Sequence, residues 1–195
     1  MAEPSTFVRI PKDRLGAFIG PDGRVKEHIE KQLGIEIRVD SETGDVTLTL
    51  SPTAEDPSVL FRAKEVVTAI GRGFAPDRAF KLIRDNEALL EVVNLREIFG
   101  KSPSELERVK GRIIGQHGKT RRTIEELTEA EVSVYGYTVS IIADAEEMEI
   151  AREAIEMLLQ GRQHSSVYRF LQRKRREIKK KRLELWEKPL KEPEK

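Results

Sequence analysis

Residues Arg108–Ile124 read RVKGRIIGQHGKTRRTI, and the fold turns on how this stretch is read. Two isoleucines, Ile113 and Ile114, precede Gly115-Gln116-His117-Gly118, and a segment of helical composition follows. Six of its residues are basic (Arg108, Lys110, Arg112, Lys119, Arg121, Arg122) and none is acidic, in a chain whose charges are otherwise mixed. Glycines bracketing two residues let the backbone turn sharply and let a ligand approach without meeting a Cβ. The free N–H groups of such a turn, at the start of a helix, suit a phosphate. The same spacing also fits an ordinary helix-to-helix turn, so the surrounding pattern has to decide between the two.

Working outward, the stretch has a partner in the first half. A shift of 95 residues sets Gly16 on Gly111, Ile19 on Ile114, Gly20 on Gly115, Gly23 on Gly118 and Ile29 on Ile124. The period is too long for a solenoid and implies two copies of one unit. In the first copy, residues 6–11 read as a strand, 12–19 and 24–33 as helices around the glycine turn, and 35–40 and 45–50 as a hairpin of period two. A helix over 57–72 then buries Leu60, Ala63, Val67 and Ile70. The second copy repeats the order with a strand at 88–94, a helix opened by Ser102 and Pro103, and a helix over 119–129. A hairpin around Gly136 and a helix over 145–159, with Ile150, Ala154, Ile155 and Leu158 inward, complete it. The expected fold class is α/β (α+β), with the order β-α-α-β-β-α occurring twice.

Composition bounds the function. With 38% hydrophobic and 35% charged residues the chain has both a core and a densely ionic surface. Zero cysteines exclude a disulfide framework and a Cys-based zinc site, and no apolar run approaches a membrane span. A soluble, cytoplasmic protein is expected. The net charge of +1 hides an uneven distribution, because residues 162–195 hold 13 basic and 5 acidic groups, a tail of about +8 on an acidic body. Such asymmetry points to a polyanionic partner. The tail reads as a basic helix over 165–188 with a stripe of Leu171, Ile178 and Leu185, stopped by Pro189 and Pro193. Arg173, Lys174, Arg175 and Lys180 are its candidate RNA contacts, while Tyr168, Phe170 and Leu171 are candidates to dock it on the second unit.

The apolar pair, the GxxG turn and the basic helix, in a β-α-α-β-β-α unit, resemble the type I KH domain, whose GxxG loop clamps about four single-stranded nucleotides. The resemblance narrows further. GFAPDRAFKLI between the copies, GRIIGQHGKTRR in the second and SSVYRFLQRKRREIKKKR in the tail resemble the archaeal Pno/Dim group of small-subunit ribosome biogenesis factors. It implies two tandem type I KH domains with a C-terminal basic helix: 1–74, 75–87 as connecting segment, 88–161, and 162–195. It also implies binding near the 3′ end of small-subunit ribosomal RNA, assistance to 3′ maturation, and the Nob endonuclease as partner. It does not imply that this chain cuts RNA. The alpha subunit of translation initiation factor two is a further partner open to a KH surface, with no residue pointing to it.

Under this resemblance the RNA site comprises Lys110, Arg112, Ile113, Ile114, Gly115, Gln116, His117, Gly118, Lys119, Arg121, Arg122 and Val134. The amides of Gln116–Gly118 are expected to hold phosphates, with bases between Ile113/Ile114 and the strand Val132–Tyr135. Arg121, and Lys26 in the first copy, stand where the KH pattern has an apolar residue. The first loop is degenerate: Pro21 removes an N–H, and Asp22 sets a carboxylate where a phosphate would sit, a repulsion of about 1 kcal/mol at 4 Å even in water. The first unit is therefore expected to be a scaffold. No cofactor or metal is expected, since the histidines lack ligand spacing and the pairs Glu125-Glu126 and Glu146-Glu147 read as solvated helix faces. Two other classes stay open: a metal-dependent processing enzyme, and a protein scaffold, translation-factor or exosome-associated, with RNA held by the tail.

Overall fold

The computed structural model describes residues 4–52 and 56–187, the side chains of 185–187 excepted. The expected stops at Pro189 and Pro193, and the stripe position Leu185, lie outside the described residues. The first unit runs β1 (Ser5–Arg9), α1 (Lys12–Ile19), α2 (Arg24–Leu33), β2 (Ile35–Val39), β3 (Asp45–Leu50) and α3 (Val59–Gly71). Two short helices, α4 (Pro76–Ala79) and α5 (Lys81–Arg84), lead to the second unit. That unit runs β4 (Leu89–Asn94), α6 (Leu95–Phe99), α7 (Pro103–Ile114), α8 (Lys119–Thr128), β5 (Glu131–Tyr135), β6 (Thr138–Ala143) and α9 (Ala145–Leu159), and α10 (His164–Glu187) follows. The sequence reading missed α6, a single turn capped by the Asn94 side chain accepting from the Arg96 N–H. Ser102 does not cap α7; its hydroxyl pairs with that of Ser104 at 3.2 Å.

Each unit has an antiparallel three-stranded sheet with its last strand in the middle, in the orders β1-β3-β2 and β4-β6-β5. The two central strands differ in a way their sequences announce. In β3, DVTLTL alternates, and Val46, Leu48 and Leu50 are buried while Asp45, Thr47 and Thr49 are half-buried. Such a strand has one face on the core and one toward water. In β6, TVSIIA, every residue is buried. Val139, Ile141 and Ala143 join the second core, while Ile142 packs into the first, among the residues that α3, α4 and α5 bury.

The back of the second sheet is thus seated on the first unit, and polar contacts fasten the seam. Ser133 donates from Oγ to the Arg72 carbonyl at 2.9 Å, and the Tyr135 hydroxyl donates to Asp13. Burial, then that bond to Asp13, raises the Tyr135 phenol above its ordinary pKa. Arg78 of α4 bridges Glu125 at 2.8 Å and Glu131 at 2.7 Å. Gly73, at φ 98°, lies where a Cβ would come within 2.7 Å of Ser133 and Tyr135, so only glycine allows this approach.

The segment 75–87 does more than connect. A second offset, 88 residues, aligns it with the start of α10: Ala79 with Val167, Phe80 with Tyr168, Leu82 with Phe170. Ala79, Phe80, Leu82, Val167 and Phe170 are all buried against their own units. Arginines follow the same offset in their targets. Arg14 donates to the carbonyls of Ile70 (2.9 Å) and Phe74 (2.7 Å), and Arg112 to those of Leu158 (3.2 Å) and Arg162 (2.6 Å), closing the C-terminal ends of α3 and α9. The 95-residue repeat is therefore one reading of a larger unit that includes its closing helix.

Ile142→Ala would open a cavity at the seam and should lower stability by about 2–4 kcal/mol in guanidinium unfolding. Thr47→Ala, on the uncovered face of the first sheet, should change it by no more than about 0.5 kcal/mol.

Candidate nucleic-acid interface

α7 ends at Ile114, and the loop that follows holds a fixed conformation: Gly115 at φ 72°, ψ 175°, His117 at φ 52° and Gly118 at φ 76°. The first unit repeats it with Gly20 at φ 74°, ψ 175°, Asp22 at φ 52° and Gly23 at φ 76°. Non-glycine residues in this left-handed region are disfavoured by roughly 1–2 kcal/mol. The matching angles show a structure imposed by both flanking helices. Gly115 is held closely as well, since a Cβ there would lie 2.1 Å from the Thr120 hydroxyl oxygen.

The loop amides are not equivalent. Gly118 N–H donates to Gly115 O at 3.1 Å, so the expectation that it holds a phosphate is corrected; Lys119 N–H donates to Gln116 O. The N–H groups of Gln116 and His117 have no protein partner among the described residues. In the first unit Gly23 N–H is bonded to Gly20 O in the same way, and Pro21 has no N–H, which leaves only Asp22, whose carboxylate lies 3.8 Å from Arg24. Two free donors beside Lys119 stand against one donor beside a carboxylate.

The opposite wall is the outer edge of β5. Val132 N–H donates to Glu125 at 3.0 Å, and Val132 O receives Arg121 at 3.5 Å, so both backbone groups face away from β6. Alternation along an antiparallel strand turns the N–H and C=O of Val134 to that same edge, where β5 has no further strand. The ion pair Arg121–Glu125 (4.0 Å) has its counterpart in Lys26–Glu30 (3.3 Å), with Glu30 accepting from Ile37 N–H as Glu125 does from Val132. The departure from the apolar KH position is thus a built feature of both units: a cation tied to the acid that holds the strand edge.

The other expected site residues divide. Ile114 is 37% exposed beside the loop, whereas Ile113 is 0% exposed and belongs to the core beneath it, a correction to its expected role as groove wall. Lys110 is half-buried without an ion pair among the described residues, and Lys119 is exposed. Arg122 donates to His117 O at 2.9 Å, closing the loop. Arg112 points to the end of α9 and is removed from the phosphate site.

In the tail, Tyr168 bonds Thr120 at 2.9 Å, and Phe170 and Leu171 are buried, docking α10 on the second unit. Arg173 and Lys174 pair with Glu177, Lys180 with Glu184, and Arg175 has no ion pair among the described residues. Sequence reasoning missed the acidic face of α9. Glu146 binds Lys181 at 3.0 Å and Glu147, 7% exposed, binds Arg182 at 2.6 Å. Glu125 and Glu147 are therefore clamped acids, contrary to the solvated faces expected. Among the described residues no group of three or more His, Cys, Asp or Glu could hold a metal ion, and no helix is long and apolar enough to cross a membrane. Gly115→Ala should lower stability by about 2–4 kcal/mol, from the clash with Thr120 and a backbone region closed to alanine, whereas Gln116→Ala stays within about 0.5 kcal/mol in the same unfolding assay.

A family model described as a eukaryotic-type KH domain (KH-domain type I), the second domain of PNO1, matches residues 89–176, a span that includes half of α10. A KH domain-containing protein of Methanocaldococcus jannaschii is 48% identical over 93% of this chain and 79% of its own length. A pre-rRNA-processing protein PNO1 of Phaeosphaeria nodorum is 27% identical over 83% of the chain, which spans 62% of that longer protein. Among solved structures, the Dim2p chain of the Pyrococcus horikoshii a/eIF2alpha–aDim2p–rRNA complex is 46% identical, with a TM-score of 0.84 over 90% of this chain and 96% of its own. With that identity and coverage, the chain belongs to the Pno/Dim family of KH proteins.

Proposed function

We propose that this chain is an RNA-binding assembly factor for the small ribosomal subunit, which holds single-stranded ribosomal RNA near its 3′ end and assists 3′ maturation. The observation that carries the reading is the pair of unpartnered amides at Gln116 and His117, set at the N-terminus of a basic helix, in a unit that also leaves the outer edge of β5 free at Val134. Phosphates fit the amides and the helix start, and the Val134 edge offers one donor and one acceptor to a base. The names of the relatives, pre-rRNA-processing and rRNA complex, support that RNA as the ligand.

In this reading the chain is a tandem of type I KH domains, 1–74 and 88–161, joined by 75–87 and followed by a basic helix. The first is a scaffold, because Pro21 and Asp22 leave its loop with one amide and a negative charge. The tail adds phosphate contacts from α10, including Arg175, Arg173 and Lys180. Lys174 lines the acidic cleft between α9 and α10 and contributes least. The Nob endonuclease is the expected processing partner, and the alpha subunit of translation initiation factor two, present in the Pyrococcus complex, a second. The role is one of holding RNA, not of cleaving it.

The geometry bounds the electrostatics. Of the six basic residues around the loop, Arg108 pairs with Glu105 at 3.5 Å, Arg112 caps α9 and Arg121 is tied to Glu125. Lys110, Lys119 and the remaining guanidinium nitrogens of Arg122 are left for phosphates. Three contacts give a salt slope of about −2 for a single strand, against about −4 for six. Titrating a short strand from the 3′ end of small-subunit ribosomal RNA should give the shallower loop contribution. Lys119→Ala should reduce the slope by about 0.7, and Arg112→Ala should lower stability while leaving the slope intact. Gln116→Asp/His117→Asp should weaken binding by ten- to a hundredfold. Undiminished binding by that loop variant, with loss in Arg173→Ala/Arg175→Ala/Lys180→Ala, would instead favour the scaffold reading with RNA on the tail.

A further inference from the structure

The two loops share a backbone but not their supports. In the second unit the Thr120 side chain, in a residue 2% exposed, lies against Gly115 and shares a hydrogen bond with the Tyr168 hydroxyl. One turn earlier in α10, His164 Nε2 stands 3.0 Å from the Arg112 carbonyl. The first two turns of α10 therefore grip the last turn of α7 and the first turn of α8, the helices between which the loop is strung. In the first unit the equivalent positions are Val25 and Phe80. Val25 packs against Gly20, and Phe80 stacks on His28 with ring centroids 4.5 Å apart.

The chain thus contains its own comparison. The first unit keeps the same loop conformation with apolar Val25 and Phe80 at these positions, so the fold alone does not require two hydroxyls at this buried place. Apolar contact tolerates small sliding and rotation, whereas a hydrogen bond weakens steeply with distance and angle. The Thr–Tyr pair therefore fixes how α8 begins relative to α10, and with it the direction of the free N–H groups of Gln116 and His117. The unit with two free amides has the directional support; the unit with one amide and a carboxylate lacks it.

We infer that Thr120 and Tyr168 are positioning residues for RNA binding, through which docked α10 aims the loop amides at the phosphodiester backbone of a single strand. This rests on the proposed reading of the Gln116–His117 loop as the phosphate site. Thr120 is buried and acts only through the loop. Ordering the donors before the ligand arrives removes a cost of binding without adding a contact.

The test is the exchange Thr120→Val/Tyr168→Phe in the full chain, which imports the pair of the first unit. It is measured beside Gln116→Asp/His117→Asp and the combination of both, with a short strand from the 3′ end of small-subunit ribosomal RNA as probe. The exchanged chain should keep its cooperative thermal transition, shift the amide NMR signals of Gln116 and His117 in the free protein, and bind three- to tenfold more weakly. Added to the loop variant, the exchange should cause no further loss, since both act through the same amides. Native affinity in the exchanged chain, with the loop variant impaired, overturns the inference and leaves the groove standing. Fully additive losses overturn it as well, because the pair would then act outside the loop. If neither variant changes affinity, the groove itself is not the RNA site and the inference falls with it.

Discussion

The strand β6 has no face left for water, and the rest of the molecule is arranged around that constraint. A central strand buried on both sides needs two cores, and Ile142 enters the first core while Val139 and Ile141 enter the second. The first unit is thus a wall of the second. Its Arg72, Arg78 and Asp13 hold β5 by Ser133, Glu131 and Tyr135, on the side of the strand away from the helices. The residues between them, Val132 and Val134, are left facing the helices and the loop. The outer edge of β5 is free at Val134, and its direction is set by a neighbour whose own loop offers one amide beside a carboxylate.

Likeness of backbone and unlikeness of chemistry explain how one repeat can serve two ends. Both loops have the same three positive φ angles and the same internal bond from the second glycine to the first. What differs is which atoms are left over: two amides in one, a single amide and a carboxylate in the other. Charge follows the same rule. The tail of about +8 is partly answered by α9, whose Glu146 and Glu147 take Lys181 and Arg182. The tail cations without ion pairs among the described residues, Arg162, Arg169, Arg175, Arg176 and Lys179, are fewer than composition suggests.

Much of this was legible in the residues. Alternation in DVTLTL marks a sheet with a free face, the apolar run Ile141-Ile142-Ala143 that ends the alternation of TVSIIA marks one without, and the glycine spacing aligns the loops to the residue. Sequence could not show which cations are occupied, because Arg112 and Arg121 find their partners through contacts 46 and 4 residues away that composition does not encode. Ile113 and Ile114 are adjacent and chemically identical; only the turn of α7 separates a core residue from a groove residue. The equivalence of 75–87 with the start of α10 escaped because the offset changes from 95 to 88 where the second unit has a shorter hairpin and a single residue, Asp144, between β6 and α9. The partners of Glu125 and Glu147 come from α4 and α10, elements whose packing no local pattern predicts.

In the proposed site few groups are left to contact RNA, and that makes rigidity the main resource. Two amides, about three cations and one strand edge are a small set for a specific single-strand site, since phosphate contacts alone do not discriminate sequence. Affinity from so few contacts depends on their being in position beforehand. The two walls are fixed from opposite sides. The first unit holds β5 through the seam, and α10 holds the loop through Thr120 and the end of α7. Neither support lies in the groove, and each is built from the closing helix of a repeat: α4 by way of Arg78, α10 by way of Tyr168. In the first unit the closing helix braces the other repeat, and in the second it braces its own loop. On the proposed reading the tandem is directional, with the first copy serving as frame and the second as site.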